Sequence, residues 1–304
     1  MKALVTGADG FIGVHLCERL EREGWTVLRS QRSGGRADFA VDLATIDPQQ
    51  MAAQSGPLDV VFHLAGRAHR RADAATYERD NVETTRRAWQ WAQRAGARRF
   101  VFLSTIRVLG DVSRHPFRIG DPRRPGDAYA ESKAEAEVYL EEVAGDGPAV
   151  TIVRPPLVYG PGVGANFLRL MQAAVRGWPL PLGRAAAPRS QVAVGNLIDL
   201  LVRCCADNRG LRVLHVRDER DYAVADLVRA LATAAGRSPR LLQIPPSLVR
   251  AALAVVGRAR VSSRLFAPAQ IDDRATRAVF GWKPPIESQQ ALLETVAWWQ
   301  RSRS

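Results

Sequence analysis

The stretch Thr6-Gly7-Ala8-Asp9-Gly10-Phe11-Ile12-Gly13 joins a short apolar segment to a helical pattern near the start of the 304-residue chain. The apolar run Ala3-Leu4-Val5 before it predicts a buried strand. After it, apolar residues recur at three-residue steps, as on one face of a helix. Strand, glycine turn and helix in this order are the setting of a dinucleotide site. The stretch therefore predicts the first strand and helix of an α/β nucleotide-binding sheet.

Three glycines give the turn its chemistry. Gly7 would permit a tight turn, Gly10 would let backbone N–H groups approach a pyrophosphate, and Gly13 would let the helix pack on the strand. The helix N-terminus would face the phosphates with its partial positive charge. The G-x-x-G-x-x-G spacing is one residue wider at its first gap than the usual fingerprint, so an ordinary glycine turn is the alternative. Its place after the first strand favours the nucleotide.

The composition is typical of a globular protein with a full core. Hydrophobic residues make up 46% of the chain, yet no apolar run approaches the roughly 20 residues that cross a bilayer. The most apolar late segment, 248–256, is interrupted by Arg250, which predicts an amphipathic helix. The sequence opens on a core strand, and Cys17, Cys204 and Cys205 lack metal-ligand spacing. We therefore expect no secretory signal, no metal and a reduced, cytoplasmic protein.

The net charge of +12 raises the question of an acidic partner. Arginine carries nearly all of the positive charge, in scattered pairs such as 70–71, 86–87 and 123–124, without a long basic tract. This distribution is typical of compositional bias and predicts no nucleic-acid partner. An anionic small substrate would use a few of these arginines equally well.

Strands and helices alternate through the first half of the chain. Further strands are predicted at 26–28, 40–41, 58–64, 99–103, 150–153 and 213–215, and helices at 80–94, 129–143, 166–176 and 197–206. This alternation predicts an α/β protein with a doubly wound parallel sheet of the Rossmann type. Beyond the Arg154-Pro155-Pro156 stretch, proline and glycine become dense, and short helices dominate from residue 222 onward. We expect residues 1–160 and 191–218 to form the dinucleotide-binding domain, and 161–190 and 219–304 a smaller, mostly helical substrate-binding lobe.

Tyr129 and Lys133 lie four residues apart, on one face of a predicted helix. A tyrosine with a pKa near 10 is a poor acid–base group at neutral pH, and a nearby ammonium would lower that pKa. The hydroxyl could then exchange a proton with an alcohol or carbonyl. With five tyrosines and three lysines in the chain, such a pair is expected by chance about 0.05 times. An ordinary surface pair is the alternative.

A third reactive group is expected at the end of the strand before that helix, where open sheets carry their chemistry. Ser104 and Thr105 end this strand, in the segment STIRVLG (104–110). A hydroxyl there could hydrogen-bond the reacting oxygen. Serine and threonine at a strand end are also common turn formers, so these residues alone decide little.

Six motifs occur in order along the chain: TGADGFIG (6–13), FHLAG (62–66), DNVETT (80–85), STIRVLG (104–110), YAESK (129–133) and VRPPLVYGPG (153–162). Together they resemble the extended short-chain dehydrogenase/reductases, specifically the branch of nucleotide-sugar epimerases, dehydratases and 4-ketoreductases. The resemblance covers essentially the whole chain.

The resemblance assigns roles position by position. It implies that Thr105, Tyr129 and Lys133 are catalytic, with Tyr129 as the acid–base residue and Lys133 as its partner, and that His63 is a strand residue of the sheet. The implied cofactor contacts are Gly7, Gly10, Phe11, Ile12, Gly13, Asp42, Leu43, Leu64, Ala65, Gly66, Asn81, Tyr129, Lys133 and Pro156. Arg32 joins them on its own chemistry, because it departs from the family pattern. The implied substrate contacts are Arg67, His69, Thr105, Asn166 and Arg189, of which Asn166 and Arg189 match the pair that holds the diphosphate.

Two departures from the family pattern bear on cofactor and substrate. Family epimerases commonly carry a carboxylate at the end of the second strand, whereas this chain has Ser30-Gln31-Arg32. Arg32 with Ser30 and Ser33 suits a 2′-phosphate, so we expect NADP(H) to be preferred, with NAD(H) as the alternative. A solvated arginine is the plain interpretation. Leu157 replaces an asparagine that many relatives place near the sugar.

The leading hypothesis is reduction at C4 of a nucleotide-linked 4-keto-6-deoxyhexose, with or without an N-acetyl group. This choice of sugar rests on a resemblance of HLAGRAH (63–69) to relatives that act on such nucleotides. An NAD-dependent 4-epimerase is the alternative, and a non-catalytic NADP-sensing protein is a more distant one. We expect no membrane partner and a homodimer. Trp89 and Trp91 lie about 200° apart on one helix, so one of them would need cover beyond the core.

Overall fold

The computed structural model describes residues 1–32, 37–68, 72–206, 210–255, 257 and 265–302. Eleven strands are present in these residues. They are Lys2–Thr6 (β1), Thr26–Gln31 (β2), Phe39–Ala40 (β3), Val60–His63 (β4), Arg99–Leu103 (β5), Ala149–Arg154 (β6), Leu157–Tyr159 (β7), Pro188–Arg189 (β8), Gln191–Ala193 (β9), Arg212–His215 (β10) and Tyr222–Ala223 (β11).

Seven of these strands form one sheet in the order β10-β6-β5-β4-β1-β2-β3, and every neighbouring pair is parallel. The chain starts at the centre, moves outward through β2 and β3, and returns to the other side of β1 through β4. This reversal beside β1 opens a crevice at the carboxyl ends of the strands, where open α/β sheets bind ligands. The predicted doubly wound sheet is confirmed.

Helices cover both faces of the sheet. The α-helices of the described residues are Phe11–Arg22 (α1), Pro48–Ser55 (α2), Ala74–Tyr77 (α3), Thr84–Arg94 (α4), Ala128–Glu142 (α5), Ala165–Val175 (α6), Val194–Arg203 (α7), Val224–Ala234 (α8), Pro246–Val255 (α9), Arg274–Phe280 and Ser288–Arg301. Of these, α1, α2, α4, α5 and α7 pack on the sheet. Residues Ala3, Leu4 and Val5 of β1 are fully buried, because one apolar cluster packs under α1 and α7 and the other under α2, α4 and α5. A strand enclosed on both faces has to be continuously apolar.

A third apolar cluster lies away from the sheet. Helices α6 and α8 and the helix Ser288–Arg301 pack around it, together with Tyr159 and Leu182. The two short sheets, β11 with β8 and β7 with β9, join this region to the large sheet. The proposed boundaries of a substrate-binding lobe remain a prediction. Among the described helices, none has the length and apolarity that crossing a membrane would require.

The largest differences from the predicted elements lie on the side of β2 and β3. Strand β2 continues through Gln31, three residues further than its apolar run predicts, because Ser30 and Gln31 pair with Phe39 and Ala40 of β3. The helix predicted at 80–94 is preceded by α3 and opens with a π-helical turn, Glu78–Glu83. Such a turn re-aims side chains and is frequent at functional sites; here it carries Asp80 and Asn81.

Both tryptophans of α4 are buried within the chain, so the prediction that one needs another cover is wrong. Trp91 is fully buried and donates from Nε1 to the Ser55 hydroxyl of α2 over 3.0 Å. Trp89, on the other side of α4, packs edge-on against Phe100 and against the turn at Gly147. The sheet and its loops enclose α4 on more than one side, which the helical periodicity could not reveal.

The glycine turn after β1 leaves no room for side chains. Gly7 has φ +67°, and a Cβ there would lie 2.9 Å from the Ala65 backbone. A Cβ on Gly13 would lie 2.2 Å from the Gly7 carbonyl oxygen. Close packing between turn, helix and β4 therefore excludes larger residues at both positions.

We expect Gly13→Ala to lower the free energy of unfolding by about 1–3 kcal/mol, because the added methyl group overpacks rigid backbone. Urea denaturation measures this loss. Gly120→Ala is the control, since its Cβ meets no atom within 4 Å and its φ is not in the left-handed region. Equal stabilities of the two variants would contradict the prediction.

Candidate active site

The crevice at the carboxyl edge of the sheet is where the predicted residues meet. Strand β1 runs into the glycine turn, β4 into Leu64–Arg67, β5 into Ser104 and Thr105, and β6 into the two prolines at 155 and 156. Backbone hydrogen bonds hold these ends together. The Leu64 N–H donates to the Thr6 carbonyl over 3.2 Å, and the Ile106 N–H donates to the Pro155 carbonyl over 2.9 Å.

The start of α1 is suited to an anion. Its N-cap residue Gly10 makes no side-chain capping hydrogen bond, and the first turn contains no acidic residue. The first N–H groups of a helix have no partner within the helix and carry a partial positive charge. With the cradle left by Gly7 and Gly13, these groups fit the pyrophosphate of a dinucleotide. Phe11 and Ile12 lie in that same first turn, half-buried.

The expected adenosine side of the crevice contains a buried carboxylate that sequence reasoning missed. Asp80, whose side chain is 3% exposed, accepts from Arg32 Nη1 at 3.2 Å and from Arg67 Nε at 2.7 Å. Asp42 pairs with Arg79, whose Nη1 also lies 3.8 Å from Asp80. Arg32 thus bonds a carboxylate in this structure, while 53% of its side chain stays exposed. Asp80 directly precedes Asn81, which the family resemblance assigns to the cofactor site. This position in DNVETT was the sequence signal that could have identified Asp80.

Asn81 connects the loop after β4 to helix α5 by two hydrogen bonds. Its Oδ1 accepts from the Arg67 N–H over 2.7 Å, and its Nδ2 donates to the Ser132 hydroxyl over 2.8 Å. Gly66 lies against this amide and beside Lys133, since a Cβ there would be 2.9 Å from Asn81 Oδ1 and 3.9 Å from Lys133 Nζ. The short contact explains why a residue without a side chain stands at position 66.

Tyr129 and Thr105 come together as predicted from the strand and the helix. Thr105 caps the turn after β5, and a hydrogen bond joins its side chain to Tyr129. Arg107, two residues later, lies over the tyrosine ring with its guanidinium carbon 5.6 Å from the ring centre. Arg107 is held by Asp111 at 2.9 Å and by Asp127, the N-cap of α5. Arg107 lies within the STIRVLG motif, but the sequence assigns it no role.

The pKa of Tyr129 is not lowered, as the sequence had suggested, but raised to about 12. Desolvation of the hydroxyl is the main cause. The cation that opposes this rise most strongly is Arg107, with help from the hydrogen bond to Thr105. Without cofactor and substrate, Tyr129 is therefore protonated, and Arg107 and Thr105 are the groups that ease the loss of its proton.

Lys133 is buried on the same helix face, 4% exposed, with its Nζ 3.9 Å from the centre of the Phe102 ring. Burial lowers the pKa of Lys133 to about 7, and the charge of Glu137 opposes this fall. An amine that titrates near neutral pH exchanges protons readily with a neighbouring hydroxyl.

Glu137, one turn beyond Lys133, is the second charged group that sequence reasoning missed. It is fully buried and accepts from both Nε and Nη2 of Arg154, at 2.9 and 2.6 Å, and from Arg123 Nε at 3.0 Å. Ser104 donates its hydroxyl to the same carboxylate. Burial alone would raise the pKa of Glu137, but Arg154, Ser104 and Arg123 hold it below the usual value. Glu137 therefore fixes the ends of β5 and β6 to helix α5.

The remaining predicted residues occupy different parts of the crevice. Arg189 donates to the backbone carbonyls of Ala267 at 2.7 Å and Asp111 at 3.2 Å. Asn166 is exposed in the first turn of α6, and Leu157 is 49% exposed on β7. Leu43 is buried beside the sheet, Ala65 N–H donates to the Thr6 hydroxyl, and Pro156 is half-buried. His69 and Ser33 lie outside the described residues.

His63 is a strand residue of the core, as the family resemblance implied. Its ring nitrogens contact the hydroxyls of Thr6 at 2.8 Å and Thr85 at 3.0 Å, and its pKa is lowered to about 3 by burial. Over the part of the chain that the structure describes, no three His, Cys, Asp or Glu side chains are grouped so as to hold a metal ion.

Comparison with known proteins adds a family and two kinds of relative. Residues 3–242 match the sequence profile described as the NAD dependent epimerase/dehydratase family. A UDP-glucose 4-epimerase of Vibrio cholerae is 34% identical over 306 residues, which cover 96% of this chain and 93% of the relative. A ceramide reductase of Caulobacter vibrioides is 30% identical, covering 83% of this chain and 76% of the relative.

The fold is also found in solved structures. MoeE5 in complex with UDP-glucose and NAD superimposes with a TM-score of 0.82 and 26% identity, covering 100% of both chains. The similarity therefore includes the sheet, the crevice and the region around the third apolar cluster.

We expect Lys133→Met to raise the free energy of unfolding of the cofactor-free protein at pH 7 by roughly 4 kcal/mol. Lys133 titrates at about 7 in the folded protein and near 10.4 when unfolded. Below pH 7 it is charged in both states and its burial costs stability; above about pH 10 it is neutral in both. The advantage of the variant should therefore shrink as pH rises from 7 to 10.

Thermal unfolding at several pH values measures this difference. Lys283→Met, at an exposed position, is the matched control and should show no such pH-dependent advantage. A Lys133→Met protein less stable than the parent at pH 7 would contradict the assignment of a costly buried ammonium.

Proposed function

The chain belongs to the NAD dependent epimerase/dehydratase family, and from that premise we propose that it acts at C4 of a nucleotide-linked hexose as a 4-epimerase. The observation that carries this proposal is the meeting of Thr105, Tyr129 and Lys133 at one edge of the sheet. One relative with similarity along nearly the whole chain is named a UDP-glucose 4-epimerase. A UDP-hexose is therefore the substrate class we propose.

Tyr129 is the proposed acid–base group. Tyr129 would pass its own proton to the neutral amine of Lys133 and, as the phenolate, would accept the proton of the sugar 4-hydroxyl while C4 is oxidised; both transfers would run in reverse when C4 is reduced. A bound nicotinamide dinucleotide would take up the hydride in the first step and supply it in the second. Thr105 would hydrogen-bond the reacting oxygen. Lys133, with its pKa of about 7, would exchange the proton with Tyr129 and contact the cofactor ribose.

In this proposal Arg107 stabilises the deprotonated form of Tyr129 electrostatically. Its guanidinium lies over the Tyr129 ring and lowers the pKa of the hydroxyl against the effect of burial. Because a phenolate forms transiently when Tyr129 gives up its proton, a nearby cation stabilises that state. Asp111 and Asp127 hold the guanidinium in place.

The remaining contacts follow from position in the crevice. The glycine turn and the α1 N-terminus would hold the cofactor pyrophosphate, with Arg32 and Asp42 towards the adenosine. Arg189 and Asn166 would hold the diphosphate of the nucleotide sugar, and Arg67 would lie near the sugar. The guanidinium of Arg189 is already oriented by two carbonyl oxygens.

A 4-ketoreductase that prefers NADP(H) is the second candidate, and Arg32 is the observation that favours it. The second strand ends without a carboxylate, and Arg32 is half-exposed where a 2′-phosphate would lie. Asp80 works against this candidate, because it competes with a phosphate for the guanidinium. An epimerase would keep its cofactor through the cycle, whereas a reductase has to exchange it after each turnover.

A homodimer remains a prediction that rests on the family resemblance. The tryptophans of α4 no longer support it, since both are buried within one chain. Light scattering at micromolar concentration tests it, and a monomer would contradict it.

We expect Tyr129→Phe to lower turnover about 10²-fold or more, the usual scale for losing a general acid, while cofactor binding stays nearly intact. Conversion of UDP-glucose to its C4 epimer is the assay, with dinucleotide binding measured by calorimetry. Tyr77→Phe is the matched control, because its ring lies 6.2 Å from that of Tyr129 in the same helical neighbourhood. Unchanged turnover in Tyr129→Phe would overturn the catalytic assignment.

We expect Arg32→Ala to weaken NADP(H) binding about tenfold and to leave NAD(H) binding nearly unchanged, as loss of one charge-assisted phosphate contact implies. Titration of both cofactors into parent and variant measures this. Tight, non-exchanging NAD that is indifferent to Arg32, with interconversion of C4 epimers, supports the epimerase. NADPH-dependent reduction of a 4-keto-sugar nucleotide without epimerisation supports the reductase.

A further inference from the structure

Helix α9 exposes an apolar stripe where helices usually expose polar residues. Leu248, Ala251, Ala252 and Val255 stand at the i, i+3, i+4 and i+7 positions that define one helix face. All four are exposed, Leu248 by 61% and Val255 by 88%. No residue of the helix is buried. The pattern that normally faces a core therefore faces outward here.

The inner side of α9 is attached to the rest of the chain. Pro246, Val249 and Leu253 are half-buried at i, i+3 and i+7, and the Arg250 guanidinium lies 5.8 Å from the centre of the Phe266 ring. The helix therefore has apolar side chains on both faces, and only the inner face packs against the rest of the described chain.

Further exposed apolar residues are linked to the start of this helix. Leu242, 45% exposed, lies four residues before α9, next to Leu241, which bridges to Leu180. Trp178, 55% exposed, stands two residues before that bridge, with the Arg176 guanidinium 5.4 Å from its ring. Isolated exposed apolar residues are ordinary. An apolar stripe together with an exposed tryptophan close to the Leu180–Leu241 bridge indicates an interaction surface.

The charge of this region is of one sign. The segment 227–271 contains seven arginines and no Asp, Glu or Lys, and the segment 155–198 contains four arginines and none of those residues. Arg176, Arg240 and Arg250 belong to the described parts of these segments. An exposed apolar helix face in a part of the chain whose charged residues are all arginine is complementary to the surface of an anionic bilayer.

We propose that α9 is an interfacial helix that binds the surface of an anionic lipid membrane through Leu248, Ala251, Ala252 and Val255. The helix of ten residues is about 15 Å long, too short to span a bilayer but long enough to lie in its headgroup region. Arginines beside the stripe attract anionic headgroups, and Trp178 suits the boundary between water and lipid. Such surface binding replaces the expectation of no membrane partner, which rested on the absence of an apolar run long enough to cross a bilayer.

The location of α9 would bring the membrane close to the substrate side of the crevice. Phe266, under Arg250, is directly followed by Ala267, whose carbonyl accepts from Arg189. Membrane binding itself depends only on the exposed stripe and its arginines, so it stands independently of the proposed function.

Co-sedimentation of the full chain with lipid vesicles tests the proposal. We expect binding to vesicles of phosphatidylcholine containing one quarter phosphatidylglycerol to be at least about tenfold stronger than binding to phosphatidylcholine alone. Binding should weaken as salt rises from about 0.1 M to about 1 M, because screening shortens the reach of the charges. Failure to sediment with the anionic vesicles would overturn the proposal.

Variants separate the stripe from general surface effects. Leu248→Glu with Val255→Glu should lower anionic-vesicle binding at least about tenfold, whereas Leu211→Glu, at a 40% exposed position before β10, should not. Arg240→Gln should lower binding about fivefold without touching the stripe, which keeps the test valid if the double variant folds poorly. A double variant that folds and binds as the parent does would overturn the proposal. So would light scattering that shows an oligomer dissociated by the double variant, since the stripe would then join two copies of the chain.

Discussion

The buried carboxylate of Glu137 is the interaction on which the carboxyl edge of the sheet depends. It lies on α5 one turn beyond Lys133 and bonds Arg154 at the end of β6, Ser104 at the end of β5, and Arg123 in the loop above them. A buried ion pair costs much desolvation and is stable only when its remaining hydrogen bonds are satisfied. Four hydrogen bonds from three residues on separate elements satisfy the carboxylate of Glu137. The reactive helix and the strand ends therefore hold a fixed position relative to each other.

Burial also sets the proton chemistry of the crevice. It raises the pKa of Tyr129 and lowers that of Lys133, so both groups favour their neutral forms when the chain is alone. The charges around them work in the opposite direction, Arg107 on the tyrosine and Glu137 on the lysine. Transfer of the Tyr129 proton to Lys133 would separate charge in a desolvated crevice, and Arg107 and Glu137 are positioned to stabilise the two charges that form.

Asp80 plays a comparable part on the adenosine side. Arg32, Arg67 and Arg79 approach it from the second strand, from the loop after β4 and from the π-helical turn. One carboxylate thus holds arginines assigned to the cofactor side and to the substrate side. In the proposed function, a cofactor beside Arg32 would have to accept this ion pair or break it, which would link cofactor choice to the position of Arg67.

The sequence by itself determined the parallel sheet, its central strand, the glycine turn and the Tyr129–Lys133 pair. Periodicity, glycine spacing and an i, i+4 relation are local properties of the chain, so they can be recognised before the packing is known. Tertiary structure alone decided the partners of charged side chains: Asp80 for Arg32, Glu137 for Arg154, and Arg107 rather than Lys133 as the cation that most opposes the rise in the Tyr129 pKa. It also decided that Trp89 and Trp91 are both enclosed and that the α9 stripe is exposed. Burial and ion pairing join residues up to dozens of positions apart, and pKa values follow from that environment, which no local pattern encodes.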